Sequence, residues 1–296
     1  MLRFKDKLLL SPLWLLSLLP LPVLYLFSNF LFFLTYTLVG YRKRVVFENI
    51  ANSFPQKNNK EVELITRNFY KHLCDVFIES IYLLNMSVKE LDKRYKLTNL
   101  DVIEKLYDES KNIVIATSHF GNWEWGTIMA YHMRYKGLAI YRPLSNKTFD
   151  NLFNHIRSKY GCKLVPMKQT LREILQCQKE NIQYAVYTLG DQRPEQSDLG
   201  HWRKFLNQET PVITGMGKLA QRFNLTVVLA KSIKTRRGHY EIEFEVIADN
   251  SKELSDTQIT NAYIDNLEKM IKNQPELWLW THKRWKFKKE DYFRGQ

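Results

Sequence analysis

The sequence predicts an α/β domain, with a mainly parallel central sheet flanked by helices, behind an N-terminal transmembrane or interfacial helix. Three observations carry this. No residue between Lys7 and Arg42 is charged. From residue 112 onward, short apolar runs rich in β-formers alternate with stretches of helical period, the pattern of repeated β-α units. Apolar residues make up 45% of the 296, enough for a sizeable core and too many for a disordered chain.

The uncharged run covers residues 8–41. As one helix it would be about 50 Å long at about 1.5 Å per residue, against a hydrocarbon core of about 30 Å. Pro12, Pro20 and Pro22 divide it. Residues 8–19 are then too short to cross, and residues 23–40 are close to the length needed. The apolar region is too long for a cleaved signal peptide, and no small-residue cleavage site follows it. Its uniform apolarity argues against a buried core helix, which would show a polar face. Tyr25, Tyr36 and Tyr41 suit membrane interfaces. Arg42, Lys43 and Arg44 mark the cytoplasmic side of a single span, whereas Arg3, Lys5 and Lys7 at the other end fit a hairpin or a shallow interfacial helix. Residues 1–45 are read as the anchor and residues 46–296 as one domain, with no internal repeat or clean linker.

Residues 46–84 read as helical, with Ile65, Phe69, Leu73, Phe77, Ile81 and Leu84 at three- and four-residue steps. Ser87 with Glu90 has the form of a capping box, and Asp101 with Glu104 opens a helix over residues 101–108. Residues 112–117 (Asn-Ile-Val-Ile-Ala-Thr) predict a buried strand. A helix is expected over 122–135, a strand over 138–142, a helix over 149–160 ending at Gly161, a strand over 163–167, a helix over 170–180 and a strand over 184–189. Thr210-Pro211 predicts a helix running to residue 223, with proline at its favoured first position. Residues 225–234 and 240–248 read as strands joined at Arg236-Arg237-Gly238, followed by an amphipathic helix from about residue 256 to 273.

The net charge of +13 suits nucleic acid, an anionic membrane surface or an acidic protein. The apolar N-terminus favours the last two, and no zinc-knuckle spacing, helix-turn-helix signal or RNP-like motif supports nucleic acid. Cys74, Cys162 and Cys177 are scattered and odd in number, which points to a reducing compartment and away from a disulfide framework.

Ser118-His119-Phe120-Gly121-Asn122-Trp123-Glu124 is the segment richest in chemistry. His119 falls just past the end of a buried strand, where open α/β sheets place their sites. Gly121 permits a tight turn, which puts Glu124 in the first turn of the expected helix and within reach of His119. A histidine backed by a carboxylate can take a proton from a hydroxyl as it attacks an acyl thioester, with backbone N–H groups or a cation holding the oxyanion. A strand-capping histidine beside a helix-capping glutamate is the bland alternative. The spacing is not the His-Glu-x-x-His of zinc proteases.

His-Phe-Gly-Asn-Trp-Glu resembles the late acyltransferases of lipid A biosynthesis, within the wider lysophospholipid acyltransferase superfamily, whose glycerolipid members usually carry Asp where this chain has Glu124. Three further stretches agree in order: Tyr141-Arg142-Pro143-Leu144-Ser145-Asn146, Gly190-Asp191-Gln192, and the run from Asn273 to Lys286. The apolar anchor and the segment from Asn49 to Pro55 are also similar. Phe205-Leu206-Asn207 departs from the family's Phe-Phe-Gly-like turn, although Asn can supply the left-handed conformation.

The resemblance implies transfer of an acyl chain from an acidic acyl carrier protein to a hydroxyl of a membrane lipid acceptor, a lipid A precursor. It implies His119 as base, Glu124 as its partner, Arg142 on the oxyanion or a lipid phosphate, and Asp191 positioning the site or pairing with Arg142. It also implies a place at the bacterial inner membrane with the catalytic domain on the cytoplasmic face. A thioester donor is already activated, so no metal or organic cofactor is expected. A lysophospholipid, a glycerol phosphate or an acylated amino lipid stays open as acceptor, as does a non-catalytic membrane lipid-binding role. Trp278, Trp280 and Trp285, with the cations around them, suit either the headgroup boundary or the core.

Overall fold

The computed structural model describes residues 4–290. Arg3 and the side chains of Lys5 and Lys7, weighed above, lie outside the described part. Helix α1 covers Phe4–Leu16 and α2 covers Leu21–Phe32, continuing as a wider π-helical stretch over Phe33–Leu38. Pro20 and Pro22 stand at the start of α2, where a missing N–H costs nothing. By length and composition Leu21–Leu38 is long and apolar enough to cross a membrane. One side of it is nevertheless docked on the domain.

That docking runs through helix α4 (Asn59–Tyr82), which follows α3 (Lys43–Ser53). Asn58 caps α4, accepting from the Glu61 N–H while Glu61 accepts from Asn58 in return. Leu21 and Leu24 of α2 are buried, Tyr25 donates to Glu79 at 2.7 Å, and Ser28 donates to Asp75 at 2.6 Å. The "uniformly apolar" run thus has a narrow polar face, set by two hydroxyls that hydropathy does not weight. Helix α5 (Val88–Arg94) is capped by Ser87, and α6 covers Asp101–Asp108.

The central sheet holds seven strands among the described residues: β1 (Tyr95–Leu97), β2 (Ile113–Thr117), β3 (Lys136–Tyr141), β4 (Lys163–Pro166), β5 (Tyr184–Leu189), β8 (Thr226–Arg236) and β9 (His239–Ala248). The missing numbers, β6 (Trp202–Phe205) and β7 (Gln208–Pro211), form a separate antiparallel hairpin. The sheet order is β1-β9-β8-β2-β5-β3-β4, and every pairing is parallel except β8 with β9. Crossovers are supplied by α7 (Met129–His132), α8 (Lys147–Ser158), α9 (Thr170–Lys179) and α10 (Gly215–Phe223), and α11 (Asp256–Asn273) follows β9. Ile113, Val114, Ile115 and Ala116 of β2 are fully buried, as a central parallel strand covered on both faces requires.

Two expectations fail locally. Residues 122–135 hold only a 3₁₀ turn, Trp125–Ile128, and the single turn of α7. Here the polar groups are claimed from outside: the Asn122 amide donates to Glu79 at 2.6 Å and the Trp125 indole donates to the Glu79 carbonyl at 3.0 Å. Thr210-Pro211 ends β7 instead of opening a helix, and α10 begins only at Gly215. Leu206 and Asn207 both adopt positive φ (48° and 60°), the two-residue turn that lets β6 and β7 pair. Trp278 and Trp280 are buried in the core rather than placed at a headgroup boundary, with their rings edge-on at 4.7 Å.

Close approach of α10 to α11 depends on Gly217. A Cβ there would lie 2.1 Å from the Asp256 carbonyl oxygen and 2.7 Å from Thr260 Oγ1. Because the first neighbour is backbone, no rotamer relieves the clash. Gly217→Ala is expected to destabilise the domain at the upper end of the roughly 1–3 kcal/mol typical of overpacking, read as a lowered denaturation midpoint.

Candidate active site

β2 ends at Thr117, and the chain turns sharply through His119 and Gly121. The turn is gripped on two sides. From the C-terminal segment, Leu277 accepts from the Gly121 N–H at 3.1 Å, and the Leu279 N–H donates to the His119 carbonyl at 3.1 Å. From α4, His72 Nε2 meets the Gly121 carbonyl at 3.2 Å, while Lys234 Nζ stands 3.2 Å from His72 Nδ1. The ammonium can only donate, so His72 is neutral and carries its proton on Nε2. Burial, then the Lys234 charge, push its pKa well below the usual value. Gly121 has φ 63°, and a Cβ would sit 2.4 Å from Ser232 Oγ, so this corner admits no side chain.

The turn presents His119 to Asp191, which follows the end of β5, the strand beside β2. The two side chains meet at 2.9 Å through His119 Nδ1 and Asp191 Oδ1. The second carboxylate oxygen accepts from the Trp278 indole N–H at 2.9 Å. Asp191 is 1% exposed. Burial by itself would raise its pKa, but the His119 charge and the hydrogen bonds from His119 and Trp278 outweigh it and hold the carboxyl below its ordinary value. With Nδ1 committed to Asp191, His119 Nε2 is left to handle a proton. The Trp123 ring stands edge-on to the imidazole at 5.4 Å.

Glu124 does not back His119. Its buried carboxylate is held by Arg157 in a two-pronged ion pair, with Nε at 2.9 Å and Nη2 at 2.6 Å. The expected arrangement needed Glu124 in the first turn of a helix. Without that helix, Glu124 turns toward α8, and a carboxylate from the neighbouring strand end takes the place beside the imidazole. Arg142 is exposed and pairs with Glu195 at 2.6 Å, so the structure does not bring it to Asp191. The backbone N–H groups of Gly121 and Trp125 are occupied by Leu277 and by the Asn122 side chain.

Arg157, the His72–Lys234 pair and the bond from Trp278 to Asp191 escaped the sequence reading. Arg157 lies in the last turn of α8, where a cation is explained by the helix dipole alone. Arg284, one of the cations around the C-terminal tryptophans, lies in the interior rather than at a headgroup boundary. It is fully buried, its guanidinium has no hydrogen-bond partner among the described residues, and its charge faces that of Asp191 and the Phe205 ring at 6.0 Å. Burial pulls its pKa down to about 10. Among the described residues, no group of three or more His, Cys, Asp or Glu side chains is placed to hold a metal ion.

His282 accepts from the Arg193 N–H at 3.3 Å. Burial, then the charges of Arg193 and Arg284, push its pKa down to about 4. Its unfolded value is near 6.5, so the unfolded chain binds the extra proton between those values. Stability is therefore expected to fall as pH drops from about 6.5 to about 4. Thermal melts across this window should show a shallower fall for His282→Gln than for the wild type.

A model of the bacterial lipid A biosynthesis acyltransferase family matches residues 3–287. The chain is similar to lipid A biosynthesis acyltransferase 2 of Shigella flexneri, with 20% identity over 82% of this chain and 77% of that protein. It is similar to the lipid A biosynthesis lauroyltransferase of Escherichia coli (strain K12), with 23% identity over 94% and 90%. The myristoyltransferase of the same organism shows 20% identity over 81% and 74%.

Proposed function

The chain belongs to the bacterial lipid A biosynthesis acyltransferase family and is an acyltransferase, and from this premise we propose that it moves a fatty acyl chain from an acyl carrier protein thioester to a hydroxyl of a lipid A precursor, a secondary acylation. The observation that carries the mechanism is the His119–Asp191 hydrogen bond at the end of β2. His119 Nε2 takes the hydroxyl proton as the oxygen attacks the thioester carbonyl, and returns it to the departing thiolate. Asp191 fixes the tautomer, with the proton on Nδ1, and offsets the imidazolium charge. Trp278 holds Asp191 in turn.

Glu124 acts as a positioning residue in this reading. Locked to Arg157, it ties the turn after β2 to α8, so that the site is held by both flanking layers. Arg142, exposed after β3 and paired with Glu195, can in this reading meet an anionic group of donor or acceptor. The +13 charge suits an acidic carrier and an anionic membrane surface, with the domain on the cytoplasmic face of the inner membrane. No metal or organic cofactor takes part in this scheme, because the thioester donor arrives activated.

Mass spectrometry of lipid A from cells with and without the gene tests the assignment. Loss of one secondary acyl chain is expected, and the missing mass gives its length. Unchanged lipid A removes that acceptor and directs attention to lysophospholipids, glycerol phosphate and amino lipids in the same extract.

A further inference from the structure

The strands β2, β5, β3 and β4 lie side by side and run the same way, so their C-terminal ends form one edge. The His119 turn leaves from the end of β2. On one flank of that turn is α4, whose His72 and Glu79 bond to Gly121 and Asn122, and on α4 lies the apolar helix α2. The outward face of α2 is uncovered: Leu26 is 66% and Phe30 60% exposed.

The other flank has an uncovered apolar rim of its own. Leu144 and Phe149, after β3, are 47% and 45% exposed, and Met167 and Leu171, after β4, are 63% and 42% exposed. Tyr141 and Pro166 are paired in register, which brings the two segments together. Met167 lies in the 3₁₀ turn that leads into α9 and Leu171 in its first turn, and both stay exposed while Thr170, Ile174 and Cys177 of α9 are buried. Lys168 follows Met167 and Arg172 follows Leu171, both exposed, and no carboxylate pairs with either among the described residues. The nearby carboxylates are already engaged: Glu173 by Lys163, Glu195 by Arg142, and Asp150 by the Leu144 N–H.

We propose that the Leu144–Phe149 and Met167–Leu171 rim is a second membrane contact, seated on an anionic bilayer, which together with α2 holds the His119 edge of the sheet against the lipid. Large apolar side chains interleaved with unpaired cations are the composition of an interfacial surface. Two uncovered apolar areas on opposite flanks of one site can be covered together only by something extended. A bilayer meets that condition, whereas a small acidic protein would cover one flank. The contact places the site where a lipid acceptor need not leave the membrane, and in that respect it rests on the lipid-acceptor reading above.

The test uses the full chain in vesicles of phosphatidylcholine with phosphatidylglycerol. Leu171→Cys carries a polarity-sensitive label, and Glu180→Cys, at the opposite edge of the sheet, carries the same label as control; the native cysteines are buried. A blue shift at position 171 with quenching by brominated lipid, and neither at position 180, is the expected result. No shift at 171 with vesicles overturns the proposal. A shift that requires added acidic carrier protein also overturns it and makes the rim a protein interface. Met167→Glu with Leu171→Glu should lower transfer to a vesicle-borne acceptor by roughly tenfold or more, with transfer to a detergent-dispersed acceptor unchanged. Equal loss on both acceptors would count against a membrane role. If the lipid acceptor itself is misassigned, no variant transfers to either acceptor while the label still reports the contact.

Discussion

Replacing Asp191 by asparagine is expected to cost activity as heavily as replacing His119. His119→Ala removes the base and should lower kcat on the order of 10²–10⁴-fold. Asp191→Asn changes only one atom, yet its surroundings dictate how the amide sits. The Trp278 indole is a pure donor at 2.9 Å, so the amide carbonyl must face it. The amide NH₂ is then turned toward His119 Nδ1, which has to accept. An imidazole accepting at Nδ1 carries its proton on Nε2, and that tautomer cannot act as base toward substrate. A loss of roughly 10²–10⁴-fold with little change in melting temperature is the expected signature. Adding Trp278→Phe to Asp191→Asn should return part of the activity, because the amide is then free to flip. Steady-state kinetics on the three variants decide it: near-wild-type turnover by Asp191→Asn would leave Asp191 without the orienting role.

The second large effect concerns stability. Arg157→Met leaves the Glu124 carboxylate buried without its guanidinium. Breaking a buried pair from one side costs about 3–5 kcal/mol, which for a chain of this size lowers the melting temperature by about 6–20 °C at roughly 2–4 °C per kcal/mol. Glu124→Gln should cost less, because Arg157 keeps about a third of its side-chain surface in water. The double change Arg157→Met with Glu124→Leu removes both charges and should recover most of the loss. Thermal unfolding of Arg157→Met, Glu124→Leu and their double closes the cycle and gives the coupling. Activity read on the double variant separates two roles. Recovery of both quantities fits a pair that only positions the turn, whereas stability without activity would put Glu124 or Arg157 in contact with the reaction.

The two predictions trace to one displacement between sequence and structure. His119 is visible in the sequence from its place after a short apolar strand and Asp191 through the family resemblance, but nothing in the chain says that they are partners. Their meeting depends on β2 and β5 being neighbours, with Thr117 registered on Leu189. Glu124 looked like the histidine's partner because five residues of separation across a turn is short. The short path was available only if a helix began at Asn122, and Asn122 is instead bonded to Glu79 of α4. A local inference thus gave way to a contact 43 residues distant.

What the sequence determined by itself is what short-range patterns can encode. The alternation of strand and helix after residue 112, the helical apolar period of residues 61–84, the β8–β9 hairpin around Arg237-Gly238 and the helix ending at Asn273 each follow from side-chain period, capping and turn chemistry within a few residues. The apolar N-terminal segment and the family resemblance were legible for the same reason. Only the tertiary structure decided which groups share a site. The order of strands put Asp191 beside His119, the C-terminal segment delivered Trp278 to Asp191, α8 brought Arg157 to Glu124, and α4 gave the apolar N-terminal helix its polar seat. Period and propensity act between neighbours in the chain. A buried charge takes whichever partner the packing of distant elements brings within about 3 Å, the range of a charge-assisted hydrogen bond, and that choice has no local signature.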